Sequence, residues 1–214
     1  MNDRIATIRQ SMMFSGHLEN DVIDLLSLYN CPKTAEHSLR VGDEASRLAA
    51  KFGGDPEAAR TAGLLHDISA IIPNNERIRV AQELHIEILP EEALFPMIIH
   101  QKISRIIARD VFHIHDPSIL DAIECHTTLK AKATLMDLVL FVADKIEWDQ
   151  PGKPPYLEQL LEQLDTSLEQ GAFVYIAYLW NQRDRLKVVH PWLIAAFEDL
   201  KAKSSAYPVR EENR

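Results

Sequence analysis

The chain is short of the features that mark secreted, membrane-spanning and strand-built proteins. Two cysteines, Cys31 and Cys125, cannot form a disulfide framework. No apolar run approaches the ~20 residues that a membrane helix requires. The first ten residues are polar, and Met12-Met13-Phe14 is too short for the apolar core of a secretory leader. Asn-Gly hairpins and sustained alternation between turns are absent, so strands are not expected. Neither an internal repeat nor a low-complexity stretch occurs. Basic residues are outnumbered, 23 against 32 acidic, for a net charge of -9. That balance argues against double-stranded nucleic acid, whose binding rests on phosphate neutralisation by Lys and Arg. A cytoplasmic protein with no nucleic-acid or membrane partner is expected.

What is present reads as helix. Hydrophobic content of 46% and charged content of 26% are those of an ordinary globular chain, and 214 residues can bury a sizeable core. Apolar residues recur at helical spacing, broken by caps and prolines. This predicts helices over about 19–29, 34–52, 75–85, 93–111, 117–126 and 135–146, and one that starts at Pro56, holds His66 and ends before Pro73. Thr34 reads as an N-cap, Gly53-Gly54 as a C-terminal stop and Asp55-Pro56-Glu57 as a cap with a first-turn proline. His100 is expected one turn inside the 93–111 helix. Three more helices, over about 156–170, 172–189 and 191–202, follow a proline-rich loop, and the last dozen residues are expected to fray.

One stretch resists a packing explanation. In Leu64-Leu65-His66-Asp67-Ile68 a histidine directly precedes an aspartate at the end of an apolar segment. Neighbouring residues of a helix do not share a face, so the pair makes sense if both side chains reach a cleft from a helix end. His37 lies upstream and His100, His126 and Asp144 lie downstream, each in its own helical segment. Imidazole and carboxylate together suit a divalent transition metal. A bound metal lowers the pKa of its water and polarises a phosphoryl oxygen, which is what phosphoester or phosphoanhydride hydrolysis needs at neutral pH.

The order and context of these residues (His37-Ser38-Leu39-Arg40-Val41, His66-Asp67, His100, His126-Thr127-Thr128 and Ala143-Asp144-Lys145-Ile146-Glu147) resemble the HD-domain phosphohydrolase superfamily, and within it the symmetrical diadenosine tetraphosphate hydrolases of bacteria. The resemblance covers residues 18–150 and implies an all-α helical bundle; residues 151–214, which carry no ligand cluster, read as a C-terminal helical extension packed on the same domain. It implies a pair of metal ions, iron above manganese or zinc, and cleavage of diadenosine tetraphosphate to two ADP by metal-activated water. A homodimer is also implied. Carried over by position, His37, His66, Asp67 and Asp144 hold the first ion, Asp67 bridges, and His100 and His126 hold the second. His66 and Asp67 carry the catalytic role.

Arg40, Thr127, Thr128, Lys145 and Glu147 are the candidate phosphate or nucleotide contacts. The family's usual arginine and lysine are replaced here by Thr34 and Ala70, and Gln101, Leu129 and Trp148-Asp149-Gln150 are further departures. Lys33, Lys130, Lys132 and Lys153 join Arg40 and Lys145 as cations able to compensate. The departures keep two other readings open: a metal-containing nucleotide sensor with little turnover, and a hydrolase of another nucleotide. His17, His85, His113, His115 and His190 fit no position of the pattern and read as structural or exposed.

Overall fold

A computed structural model describes residues 3–148 and 152–205. The frayed tail and Asp149-Gln150 expected above lie outside these residues, apart from the stretch up to 205. Among the described residues the fold is all helical. Its α-helices are α1 (Asp3–Gln10), α2 (Leu18–Leu28), α3 (Pro32–Phe52), α4 (Pro56–Leu65), α5 (Arg77–Glu83), α6 (Pro90–Leu94), α7 (His100–Asp110), α8 (Pro117–Cys125), α9 (Leu135–Ile146), α10 (Leu157–Gln163), α11 (Leu168–Asn181) and α12 (Pro191–Ser205). Short 3-10 turns fill Ile68–Ile71, Asn74–Glu76 and Arg183–Arg185.

Local chemistry sets most boundaries. The Asp55 side chain accepts from the backbone N–H groups of Glu57 and Ala58, with Pro56 in the first turn of α4. Asp116 and Pro117 repeat that start at α8. Thr134 and Asp137 cap each other at α9. Gly53 ends α3 with φ of 80°, a left-handed turn that glycine adopts without strain.

Several expected boundaries change. The helices expected over 156–170 and 172–189 are α10, which ends at Gln163, and α11, which runs from Leu168 to Asn181. Two changes lie nearer the site. Helix α3 begins at Pro32, so Thr34 lies inside its first turn rather than capping it. The single helix over 93–111 is two helices. Phe95 is extended, with φ of -132° and ψ of 81°, because the ring of Pro96 clashes with a helical residue before it. A turn follows, and α7 starts at His100 itself. Helix α1 was not expected. It buries only Ile5 and Ile8, too few apolar residues to show as a pattern.

Helix α9 runs through the middle of the bundle, and its residues 138–143 are all buried. Helices α3, α4, α8 and α11 surround it. Helices α3 and α4 approach most closely where two glycines meet: a Cβ built on Gly63 would lie 2.6 Å from the Gly42 Cα. The Tyr156 hydroxyl donates to the Lys145 carbonyl at the end of α9. Trp180 stacks on Phe197, joining α11 to α12. No described helix is long and apolar enough to cross a membrane.

Candidate metal centre

The six residues singled out by motif meet at one place, although five separate segments carry them. His66 and His126 stand immediately after the last residues of α4 and α8. A helix end leaves carbonyls without backbone partners, and each histidine uses one. His66 Nδ1 donates to Gly63 O at 2.7 Å, and His126 Nδ1 donates to Ile123 O at 2.8 Å. His100 does the same three residues back, to Met97 O at 2.5 Å. A carbonyl only accepts, so these bonds place the proton on Nδ1 and leave Nε2 as a lone pair. His37, in the middle of α3, has a buried Nδ1 with no partner, and its Nε2 lies 3.1 Å from Asp144 Oδ1.

The Nε2 atoms converge. His100 Nε2 and His126 Nε2 are 3.0 Å apart. Asp67 Oδ1 lies 3.0 Å from the first and 3.4 Å from the second. Two lone pairs and a carboxylate this close repel one another unless a proton or a metal ion lies between them. His66 Nε2 is fully buried, has no hydrogen-bond partner, and lies 3.6 Å from both Asp67 and Asp144. Three triads have ligand atoms within 4.8 Å of one another: His37-His66-Asp67, His66-His126-Asp144 and Asp67-His100-His126. Asp67 belongs to the first and the last, the position a bridging carboxylate would take. The donor set therefore fits one or two divalent ions.

Burial alone would hold the two carboxyls protonated, but their neighbours win. The positive charge of the neighbouring histidines, His66 first, holds Asp67 well below the usual carboxylate range. Lys145 does most of the same for Asp144, helped by His37 and His66. For His66, burial opposes the charged form, yet Asp67 and Asp144 push its pKa up to about 9. For His126, burial and the neighbouring histidines outweigh Asp67 and leave it at about 4. Without a metal, a proton takes the His66 lone pair; His126 is neutral at pH 7.

That difference makes a quantitative expectation. A metal ligand must be deprotonated. At pH 7.5, loading the centre expels about one proton per chain, from His66, and His126 contributes none. Because the His66 pKa is raised, affinity climbs with pH until about 9 and then levels off. Calorimetric titration with Mn(II) in buffers of different ionisation enthalpy counts the protons. A count of zero would show that His66 is not displaced by the ion.

Around this floor a cavity of about 180 Å³ is lined also by Thr127, Lys145, Glu147, Trp148 and Tyr175. The Lys145 ammonium is buried against Asp144, donates to His126 O at 3.4 Å, and lies 5.2 Å from the ring centres of Phe141 and Tyr175. Arg40 is exposed and pairs with Glu147 at 3.2 Å. The Thr127 hydroxyl is 3.3 Å from His100 Nε2. Thr128 is buried; it accepts from Gln101 and donates to Leu129 O. Lys130 pairs with Asp137, Lys153 with Glu158, and neither lines the cavity. Tyr175 reaches the site from α11, a placement that its sequence neighbourhood did not signal. His190 is buried against Glu92, away from the centre.

A helical scaffold that gathers four imidazoles and two carboxylates at and beneath the floor of an open cleft makes a candidate site for a divalent metal. The HD domain model matches residues 34–149. The chain belongs to the HD domain family and is an HD-domain hydrolase. It is 49% identical over 147 residues to an uncharacterized protein in the pepC 5' region of Lactococcus lactis subsp. cremoris, covering 69% of this chain and 74% of that one. It is 31% identical over 160 residues to the symmetrical bis(5'-nucleosyl)-tetraphosphatase of Staphylococcus aureus, covering 73% of this chain and 78% of the relative. A crystal structure from Clostridium acetobutylicum, described as a "predicted HD superfamily hydrolase involved in NAD metabolism", superposes with a TM-score of 0.79 at 28% identity over 90% of this chain and 100% of that one.

Proposed function

We propose that this chain hydrolyses a dinucleoside polyphosphate, diadenosine tetraphosphate to two ADP, at a two-metal centre in which iron is the natural ion. The observation that carries the reading is the convergence of the His66, His100 and His126 Nε2 atoms on Asp67 at the floor of the cavity, with His66 Nε2 buried and without a hydrogen-bond partner. The Staphylococcus aureus relative's name supports the substrate class. His37, His66, Asp67 and Asp144 would hold one ion and His100 with His126 the other, Asp67 touching both. Bound there, the ions supply an activated water and a polarised phosphoryl oxygen.

The remaining work falls to the chain. Lys145 fixes the Asp144 carboxylate and adds positive charge beside the reacting phosphate. Thr127 offers a hydroxyl at the cavity wall, and Arg40, released from Glu147, reaches the outer phosphates. The cavity is smaller than the ~300 Å³ typical for whole small ligands, so only the polyphosphate enters it. The nucleosides then lie on the rim, where Trp148 offers an aromatic face. Residues 151–214 belong in this reading to the same domain, since Tyr175 from that part helps to line the cavity. A homodimer, as the resemblance implies, is part of the same proposal.

Anaerobically purified protein with Fe(II) or Mn(II), offered a panel of nucleotides in ¹⁸O-labelled water, tests it. The expected products from diadenosine tetraphosphate are ADP alone, with one label per pair. AMP with ATP would overturn the symmetrical cut. Tight binding without products would favour the sensor reading, which Ala70 in place of the family's lysine supports.

A further inference from the structure

We propose that Arg77 is a positioning residue that holds His100 and Asp67 at their mutual distance by clasping the chain segments that carry them. The inference rests on the reading of the cluster as a metal centre. It starts from a difference among three similar histidines. His66 and His126 donate to carbonyls in the last turns of α4 and α8, whose directions the helices fix. His100 stands at the start of α7, so the carbonyl it uses, Met97 O, belongs to the turn after Pro96. No helix fixes that carbonyl. Arg77 does: its Nη1 donates to Met97 O at 3.3 Å and lies 3.0 Å from Met97 Sδ.

The other side of the guanidinium faces the segment after Asp67. Arg77 Nε donates to Ile72 O at 3.4 Å, five residues past the aspartate. One rigid fork thus joins a carbonyl just before His100 to a carbonyl just after Asp67. Across that junction His100 Nε2 and Asp67 Oδ1 are 3.0 Å apart. A lysine ammonium, a point donor on a flexible stem, cannot hold both carbonyls in one plane.

The energetics ask for a function. Arg77 is only 8% exposed, and among the described residues no carboxylate lies within ion-pair distance of it. A buried cation without a paired anion is costly. Burial draws its pKa down, and the negative charge of Asp67 is what opposes this. Arg77 does not line the cavity, so substrate phosphate does not reach it. Its influence passes through His100 and Asp67. Three residues past Asp67 the family's lysine is missing, and Arg77 brings a positive charge to that side from α5 by another route.

The test compares wild type with Arg77→Met, Arg77→Lys and His100→Ala. In metal-free protein labelled with ¹⁵N-histidine, the Nδ1–H signal of His100, assigned by its loss in His100→Ala, should shift or broaden in Arg77→Met. The His66 and His126 signals should stay in place. This arm is independent of metal. In the second arm, Mn(II) titration should show the site of His100 and His126, which has fewer ligands from the chain and so is the weaker, losing ~10–100-fold in affinity, as for other residues that orient a ligand, with the tighter site within about threefold. Arg77→Lys, which keeps the charge, should show the same selective loss to a smaller degree, and it serves if the methionine variant does not fold. An unmoved His100 signal with both affinities unchanged would overturn the proposal. So would equal loss at all histidines and both sites, which would make Arg77 a general scaffold residue. If wild type bound no Mn(II), the metal reading would fail while the histidine signals still decided the role of Arg77.

Discussion

Replacing Asp67 with asparagine is expected to remove at least one metal ion per chain and to lower turnover by ~10³-fold or more. Asparagine has nearly the same shape, so the change isolates the charge. Asp67 Oδ1 lies within 3.4 Å of both His100 and His126, and Oδ2 is 3.6 Å from His66. No other carboxylate in the cluster reaches all three. An amide oxygen is a weaker donor to a divalent ion, and the bridge between the two ion positions goes with it. The activated water and polarised phosphoryl oxygen together are worth several kcal/mol, and each ~1.4 kcal/mol is tenfold in rate. Elemental analysis and steady-state turnover measure the two losses. The variant carries a second signature. Asp67 is the largest influence raising His66, so the proton released on metal binding at pH 7.5 should fall well below one. Full metal content with unchanged turnover would remove Asp67 from the centre.

The second large effect is structural and reaches the same centre from behind. Gly63→Ala would place a Cβ 2.6 Å from the Gly42 Cα and 2.7 Å from its nitrogen, backbone atoms that no rotamer change can move. Helices α3 and α4 would have to separate. Overpacking of this kind costs ~3 kcal/mol or more, which for a chain of this size lowers Tm by roughly 6–12 °C. Gly63 also supplies the carbonyl that orients His66, and α3 carries His37. Metal affinity should therefore fall along with Tm, beyond what destabilisation alone would give. Gly42→Ala is the control. Its Cβ would meet Arg60 O and Leu64 Cγ at 3.3 Å, a contact that small shifts relieve, so its Tm loss should be less than half. Equal losses in the two variants would show that the close crossing is not where the strain arises.

The sequence by itself marked all six residues of the candidate centre, and two of them are oriented by their own few neighbours. His66 follows the last residue of α4, and His126 follows the last residue of α8. A histidine at a helix end finds a free carbonyl three residues back whatever the rest of the chain does. The helical class was legible for a similar reason: caps such as Asp55 and Thr134 act over two or three residues. The tertiary structure decided what depends on pairs far apart. Pro96 broke a helix that periodicity carried straight through, and so left the Met97 carbonyl, which His100 Nδ1 uses, outside any helix. Nothing within α5 shows which carbonyls the Arg77 guanidinium will meet. Only the placement of α11 beside α9 turns Tyr175 toward Lys145. Local hydrogen bonds choose which residues can be ligands. Only the packing of α3, α4, α5, α7 and α9 fixes how far apart they stand and what holds them there.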